Sequence, residues 1–511
     1  MTWKLDVNAL TPENGIPMKS SKDGSYVKKS SLSDSTTDMS QAFFNPKGLS
    51  WFVTGLFVVG DLAGGGLVAL PTAMIQSEFY PGLVISALMM GVVTYTAYVL
   101  GLSWNILLNT WPKYREHCRK PYPEIGYRAM ESSSLYVLTS LSSELLSFIC
   151  CLSSKNIHDM IKSFSNTEFS YCIVVLILAV CLLPVTFLKS PQDFWWAVVI
   201  AMITTSCAVV FIIIGASLDY ELCSSHTDMP PYNPKNFFLA LGTLLFAYGG
   251  HSAFPTIQHD MKNPSEFTKS VILAFSIMAV MYAPVCIMGY LTYHDAIRDS
   301  IIPSIQTVWI QQACNILITV HCILTLTIVF NPLNQEFEDL FKCPQHFCWQ
   351  RVLIRSGTML AVVFIAETIP NFGPLLDLFG GSTLTLTSVI LPCLFYLYLN
   401  TWNLKRELVG MKGDAPVTLK DVLKYTPRTT LIICISIILF GLIGGSAATF
   451  SAIVELTTTN FLLPCYVSPF LKQIHPSDGG ASVYCCGPYQ NLTHNGLTSQ
   501  CVPMPRNPFY G

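Results

Sequence analysis

Eleven apolar stretches follow one another at short intervals between residues 50 and 454, and they leave this chain few ways to fold. They run near 50–76, 82–108, 135–160, 170–188, 194–218, 236–258, 269–292, 305–330, 352–370, 373–399 and 429–454. A run of about 18 or more apolar residues is long enough to cross a bilayer as a helix. In lipid every backbone polar group must be bonded internally, so a series of such runs dictates helices. Only 12% of the residues are charged, against about 25% in a soluble domain. The expectation is an all-α polytopic membrane protein with 11 transmembrane helices. A net charge of −2 gives no footing for a nucleic acid.

Lys and Arg set the orientation, because they accumulate on the cytosolic side. With the N-terminus inside, all but six of the 29 basic residues fall on that face. The exceptions are Lys155, Lys162, Lys235, Arg298, Lys472 and Arg506. Residues 1–48 are polar, carry no cleavable signal and read as a disordered cytosolic tail. An odd span count puts the C-terminal segment 455–511 outside. The sequon Asn491-Leu492-Thr493 lies there, as does the cysteine set Cys465, Cys485, Cys486 and Cys501. Cys172 and Cys223 fall on the same oxidising face, and a disulfide is expected among these six, with the pairing open.

Two spans are badly made as plain helices. "VVGDLAGGGLVALP", Val58 to Pro71, puts four glycines, an aspartate and a proline into the first. Gly costs about 1 kcal/mol and Pro about 3 kcal/mol in a helix interior. A carboxylate at the bilayer centre adds about 2.5–3.5 kcal/mol. The sixth span has its own break, "AYGGHSAFP" from Ala247 to Pro255. Five spans on, that helix crosses in the opposite direction. Paired interruptions in corresponding spans of two inverted halves point to a transporter binding site. Here the halves would be 49–218 (spans 1–5) and 236–399 (spans 6–10), with 429–454 added as span 11. Glycines also serve close helix packing, but that alone does not account for two matched breaks that each carry an ionisable residue.

These residues resemble a known family. "AGGGLVALPTA" (Ala63 to Ala73) is similar to the first-span signature of the amino acid/auxin permease family, and "FAYGGHSAFPTIQHDMKNP" (Phe246 to Pro264) to its sixth-span signature. "PYPEIGYRAM", "LKSPQDF" and "NPLNQEFE" resemble its segments after spans two, four and eight. The resemblance covers about residues 45–455, in order; the two tails match nothing in it. It implies a leucine-transporter-like, five-plus-five inverted-repeat fold with span eleven added and the first and sixth helices broken. It also implies transport of amino acids, commonly driven by protons and in some animal members by sodium.

A broken helix presents free N–H groups at the start of its second half, where carboxylates bind, and free carbonyls at the end of its first. The expected substrate groups are therefore the amides of Gly64, Gly65 and Gly66 and the carbonyls of Ala247, Tyr248 and Gly249, with Ser252. Glycine lets a ligand approach the backbone directly. Ionisable residues at membrane depth are functional hypotheses by default. Asp61, Glu144 and His251 are the proton-coupling candidates. Asp61 would serve equally as partner to a substrate ammonium, and it departs from the small polar residue usual in the family. His321 reads as structural, and Thr325 and Thr327 as weak cation-site candidates.

The expected function is secondary active transport of small neutral amino acids, coupled to protons. An amino-acid-sensing receptor on the same scaffold and a sodium-coupled transporter are the alternatives. No HExxH pair, P-loop or nucleophile–base constellation argues for an enzyme, and no cofactor is expected. The partners are the amino acid and the lipid bilayer. The cytosolic tail shows no sorting motif, which favours the plasma membrane over vesicular or lysosomal membranes.

Overall fold

A computed structural model describes residues 43–130 (without 47, 117 and 119), 171–187, 195–224, 229, 232–294, 297, 300–344, 348–368, 372–409 and 416–458. The described chain is helical throughout. The first span is α1 (Trp51–Leu62) and α2 (Gly65–Ser77), bent by 61° at Ala63 and Gly64. Then come α3 (Phe79–Thr110), α4 (Pro121–Met130), α5 (Tyr171–Thr186) and α6 (Trp195–Cys223). The second break separates α7 (Pro234–Tyr248) from the short α8 (Phe254–His259). The rest are α9 (Phe267–Tyr293), α10 (Val308–Leu340), α11 (Trp349–Thr368), α12 (Phe372–Phe379), α13 (Leu391–Val409), α14 (Leu419–Tyr425) and α15 (Arg428–Thr458). A π-helical stretch, Gly380–Ile390, joins α12 to α13.

Six described helices are long and apolar enough to cross a membrane, and a seventh span is added if the bent pair counts as one. The other expected spans differ for local reasons. α5 has 16 residues and α7 has 15, cut short by the second break. α11 carries Arg351, Arg355 and Glu367. Span 135–160 lies outside the described residues, as do Glu144, Asn491, residues 1–42 and residues 459–511. "NPLNQEFE", expected to follow the eighth span, instead continues α10 as helix to Leu340. Cys223, buried at the end of α6, is disulfide-bonded. The side chains of the other five outer cysteines lie outside the description.

The long helices are apolar on both faces. Val84, Leu360, Ile432 and Ile443 are each more than 60% exposed, which suits a surface that lipid covers rather than water. Inside, small residues let backbones touch. A Cβ on Gly242 would lie 2.7 Å from the Asp377 carbonyl oxygen, and one on Gly381 2.8 Å from the Thr449 nitrogen. This seam holds α7, the π-helical stretch and α15 together in the manner of membrane helix packing. Tyr122 of α4 reaches into it, donating to the Thr387 carbonyl at 2.6 Å.

The two broken spans run antiparallel. Leu49, just before α1, donates to the Asp260 carbonyl just after α8 and accepts from the Lys262 amide, both at 2.8 Å. Gly66, at the start of α2, abuts Ala247, near the end of α7: a Cβ there would lie 2.5 Å from the Ala247 Cα. The start of one span therefore meets the end of the other, and break lies on break.

Candidate functional site

Local chemistry explains each break. Ala63 donates to the Val59 carbonyl and closes α1, and the Gly64 amide folds back onto the Leu62 carbonyl at 2.9 Å. The chain then restarts as α2 at Gly65. Of the three amides expected to receive a carboxylate, Gly64 is thus already engaged. Gly65 and Gly66, the first two residues of α2, have no acceptor among the described residues, as the first turn of any helix dictates.

The second break divides in the same way. The Ala247 carbonyl is engaged, because the Tyr282 hydroxyl of α9 lies 3.2 Å from it. The same hydroxyl lies 3.3 Å from the Leu62 carbonyl. One buried phenol therefore bridges the first-half ends of both broken helices. The carbonyls of Tyr248 and Gly249 receive no hydrogen bond among the described residues. Ser252 is partly exposed in the break.

Asp61 is partly buried and has no hydrogen-bonding or ionic partner among the described residues. Its Oδ2 lies 3.3 Å from the place a Cβ would take on Gly250, so the carboxylate of the first break faces the backbone of the second. Free amides, free carbonyls and one unpaired carboxylate thus converge from the two spans. A zwitterion with a carboxylate at one end and an ammonium at the other matches that set.

Two histidines are held alike. His251 Nε2 lies 2.9 Å from the Val93 carbonyl and 3.0 Å from the Thr96 hydroxyl of α3. His321 Nδ1 on α10 lies 3.1 Å from the Ala201 carbonyl and 2.7 Å from the Thr205 hydroxyl of α6. A carbonyl can only accept, so each of these nitrogens carries its proton and the ring's other nitrogen is the acceptor. For His251 that other nitrogen, Nδ1, is fully buried and has no partner among the described residues. For His321 it is Nε2, 2.8 Å from the place a Cβ would take on Gly64.

Sequence reasoning missed Tyr282 and read His321 as structural. A lone hydroxyl two residues before Pro284 in an apolar run, and an ionisable residue in mid-span, were the available signals. Thr325 bonds the His321 and Cys322 carbonyls of its own helix, and the Thr327 side chain lies outside the description. Among the described residues no three His, Cys, Asp or Glu side chains gather as a metal site.

Residues 47–411 match the family described as transmembrane amino acid transporter protein. The lysine histidine transporter-like 4 of Arabidopsis thaliana is 26% identical over 385 residues, 68% of this chain and 81% of that protein. Amino acid transporter AVT1D of the same plant is 25% identical over 422 residues, 77% of this chain and 68% of that one. A solved structure of a Na+-coupled sialic acid symporter aligns with a TM-score of 0.46 at 11% identity, over 83% of this chain and 92% of that chain.

Proposed function

This chain belongs to the transmembrane amino acid transporter family, and from that premise we propose that it moves small neutral amino acids by alternating access around the two breaks, driven by protons. The observation that carries the reading is the meeting of two antiparallel broken spans at Gly66 and Ala247, bridged by Tyr282. Antiparallel breaks support two inverted five-span halves with an eleventh span added. In this reading the N-terminus is cytosolic, the C-terminal tail is outside, and the protein works at the plasma membrane.

The substrate's carboxylate takes the Gly65 and Gly66 amides, where the α2 dipole adds its partial positive charge. Its ammonium takes the Tyr248 and Gly249 carbonyls, with Asp61 as counter-charge. The side-chain space at Gly64 and Gly66 is taken by His321 and Ala247, so Gly65, which is partly exposed, is where the ligand reaches the backbone most directly. A cationic side chain would need a second counter-charge in the break.

The test is uptake of a labelled amino-acid panel into proteoliposomes at about pH 5.5 and about pH 7.5, with and without sodium. Acid-stimulated, sodium-independent uptake of small neutral members is expected. Asp61→Asn should raise KM about 10- to 100-fold, the worth of a hydrogen bond to a charged group. Binding without flux would replace transport by sensing, and strict sodium dependence would replace the proton.

A further inference from the structure

We propose that the coupling proton is carried by His321, at Nε2, and that the bound substrate's carboxylate is what raises its affinity for that proton. The proposal rests on the transporter reading above and names the residue and the linkage that the reading lacks.

The geometry is specific. The Ala201 carbonyl keeps the proton of the neutral imidazole on Nδ1. The Nε2 lone pair therefore faces Gly64, and among the described residues no donor meets it. His321 is only 2% exposed, so its free nitrogen opens onto the break rather than onto bulk water. Gly64 is the residue between the C-terminal end of α1, which carries partial negative charge, and the N-terminal end of α2, which carries partial positive charge. Without substrate the two ends oppose each other at Nε2. A carboxylate seated on the Gly65 and Gly66 amides cancels the positive end and adds a full negative charge one residue from Gly64. The imidazolium is then favoured, and by reciprocity the proton favours the substrate. The proton arrives from water on the outer side, makes Nε2 a donor, and returns to water on the inner side after the substrate leaves.

The other ionisable groups around His321 suit the role less well. Asp61, three residues before Gly64, faces Gly250 and serves the ammonium. On α6, Cys207 is exposed, and Asp219 lies 14 residues beyond Thr205, roughly 20 Å along the helix. Asp219 also already accepts from the Tyr293 hydroxyl and the Gln306 amide. Tyr220, Glu221 and Cys223 are farther still. On α10 itself Cys314 and Cys322 are buried thiols, and Glu336, Glu338 and Asp339 lie at its far end. Arg351 and Arg355 of α11 meet Glu338, 17 residues and roughly 25 Å from His321, and Glu367 closes that helix. On α5 the ionisable residues are Tyr171, Cys172 and Cys181. His251 resembles His321 in its clamp, but its free nitrogen is sealed in the interior.

The experiment measures binding of tritiated alanine to the purified full chain, without sodium, from about pH 5.5 to about pH 7.5. The wild type should bind at least about fivefold more tightly at the acid end, and His321→Gln should bind equally at both. Asp61→Asn should bind more weakly at both ends of the range but still more tightly at the acid end. Ethylamine, which lacks the carboxylate, should bind without pH dependence. Should His321→Gln fail to fold, Thr205→Val keeps the imidazole and removes one acceptor from Nδ1–H. A charged ring gains more from that acceptor than a neutral one, so the midpoint should fall by roughly half a pH unit or more. A wild-type pH ratio in His321→Gln, or an unmoved midpoint in Thr205→Val, overturns the proposal. A wild type that binds alanine equally at both pH values overturns it too while leaving transport intact. A wild type that binds and carries no amino acid overturns the transporter reading itself.

Discussion

Gly66→Ala asks whether the two breaks are held together by backbone contact. The added methyl would sit 2.5 Å from the Ala247 Cα and 2.8 Å from its Cβ, where carbon atoms prefer about 3.5–4.0 Å. Neither neighbour is the end of a flexible side chain, so α2 and α7 must part by about 1 Å. Overpacking of that kind costs about 1–3 kcal/mol. Removing a helical glycine offsets up to about 1 kcal/mol. The net loss in stability is therefore about 0–3 kcal/mol, and the protein should still fold. Function should suffer more, because the Gly65 and Gly66 amides move by the same about 1 Å against the Tyr248 and Gly249 carbonyls. Binding constellations tolerate about 0.5 Å. Initial uptake of labelled alanine, normalised to reconstituted protein, should fall at least about tenfold, equivalent to about 1.4 kcal/mol. Gly91→Ala is the control: that glycine is exposed on α3 with nothing within 4 Å of its Cβ position, and uptake there should be unchanged. Wild-type uptake by Gly66→Ala, beside an equally silent control, would refute the claim that break lies on break.

The remaining expectations concern other parts of the molecule. Tyr282→Phe removes the hydroxyl shared by the Leu62 and Ala247 carbonyls; Leu62 keeps its bond from Gly64, Ala247 loses its donor, and the melting free energy in detergent should drop by about 1–3 kcal/mol. If the C-terminal tail is outside, N-glycosidase treatment should increase the electrophoretic mobility of protein made in animal cells, and Asn491→Gln should abolish the increase; a tail that stays unglycosylated refutes that orientation. Asp421 caps α14 together with Thr418 and pairs with Lys405 at 3.1 Å. Hydrogen bonds from the Thr418 backbone and side chain, then Lys405, pull its carboxyl down to about 2. Since the folded value is depressed, its contribution is complete above the ordinary carboxylate range and is lost as pH falls through about 2. Amide exchange at α14 should stay flat from neutral pH to about pH 4 once corrected for intrinsic rates, and Asp421→Asn should show the loosened cap even at neutral pH.

Much of this protein is legible in one dimension because lipid is an undemanding partner for a side chain and a strict one for a backbone. Apolar runs of spanning length have only helix available to them, so α3, α6, α9 and α15 follow from composition. The breaks are legible for the converse reason: Gly-Gly-Gly and Gly-Gly-His before prolines cost too much in a helix to stand there without use, and the chain does bend by 61° at the first. What the sequence could not decide is which groups at the breaks are already spent. Gly64 and Ala247 read like their neighbours, yet a two-residue backbone turn engages one and a tyrosine from another span engages the other. Hydrogen-bond partners of that kind are set by tertiary packing, and packing also reverses the reading of the two mid-span histidines, of which the sequence pointed to His251 and not to His321. Each is clamped by a carbonyl and a threonine on a neighbouring helix, but only the position of Gly64, 257 residues away along the chain, gives His321 a nitrogen that faces the break.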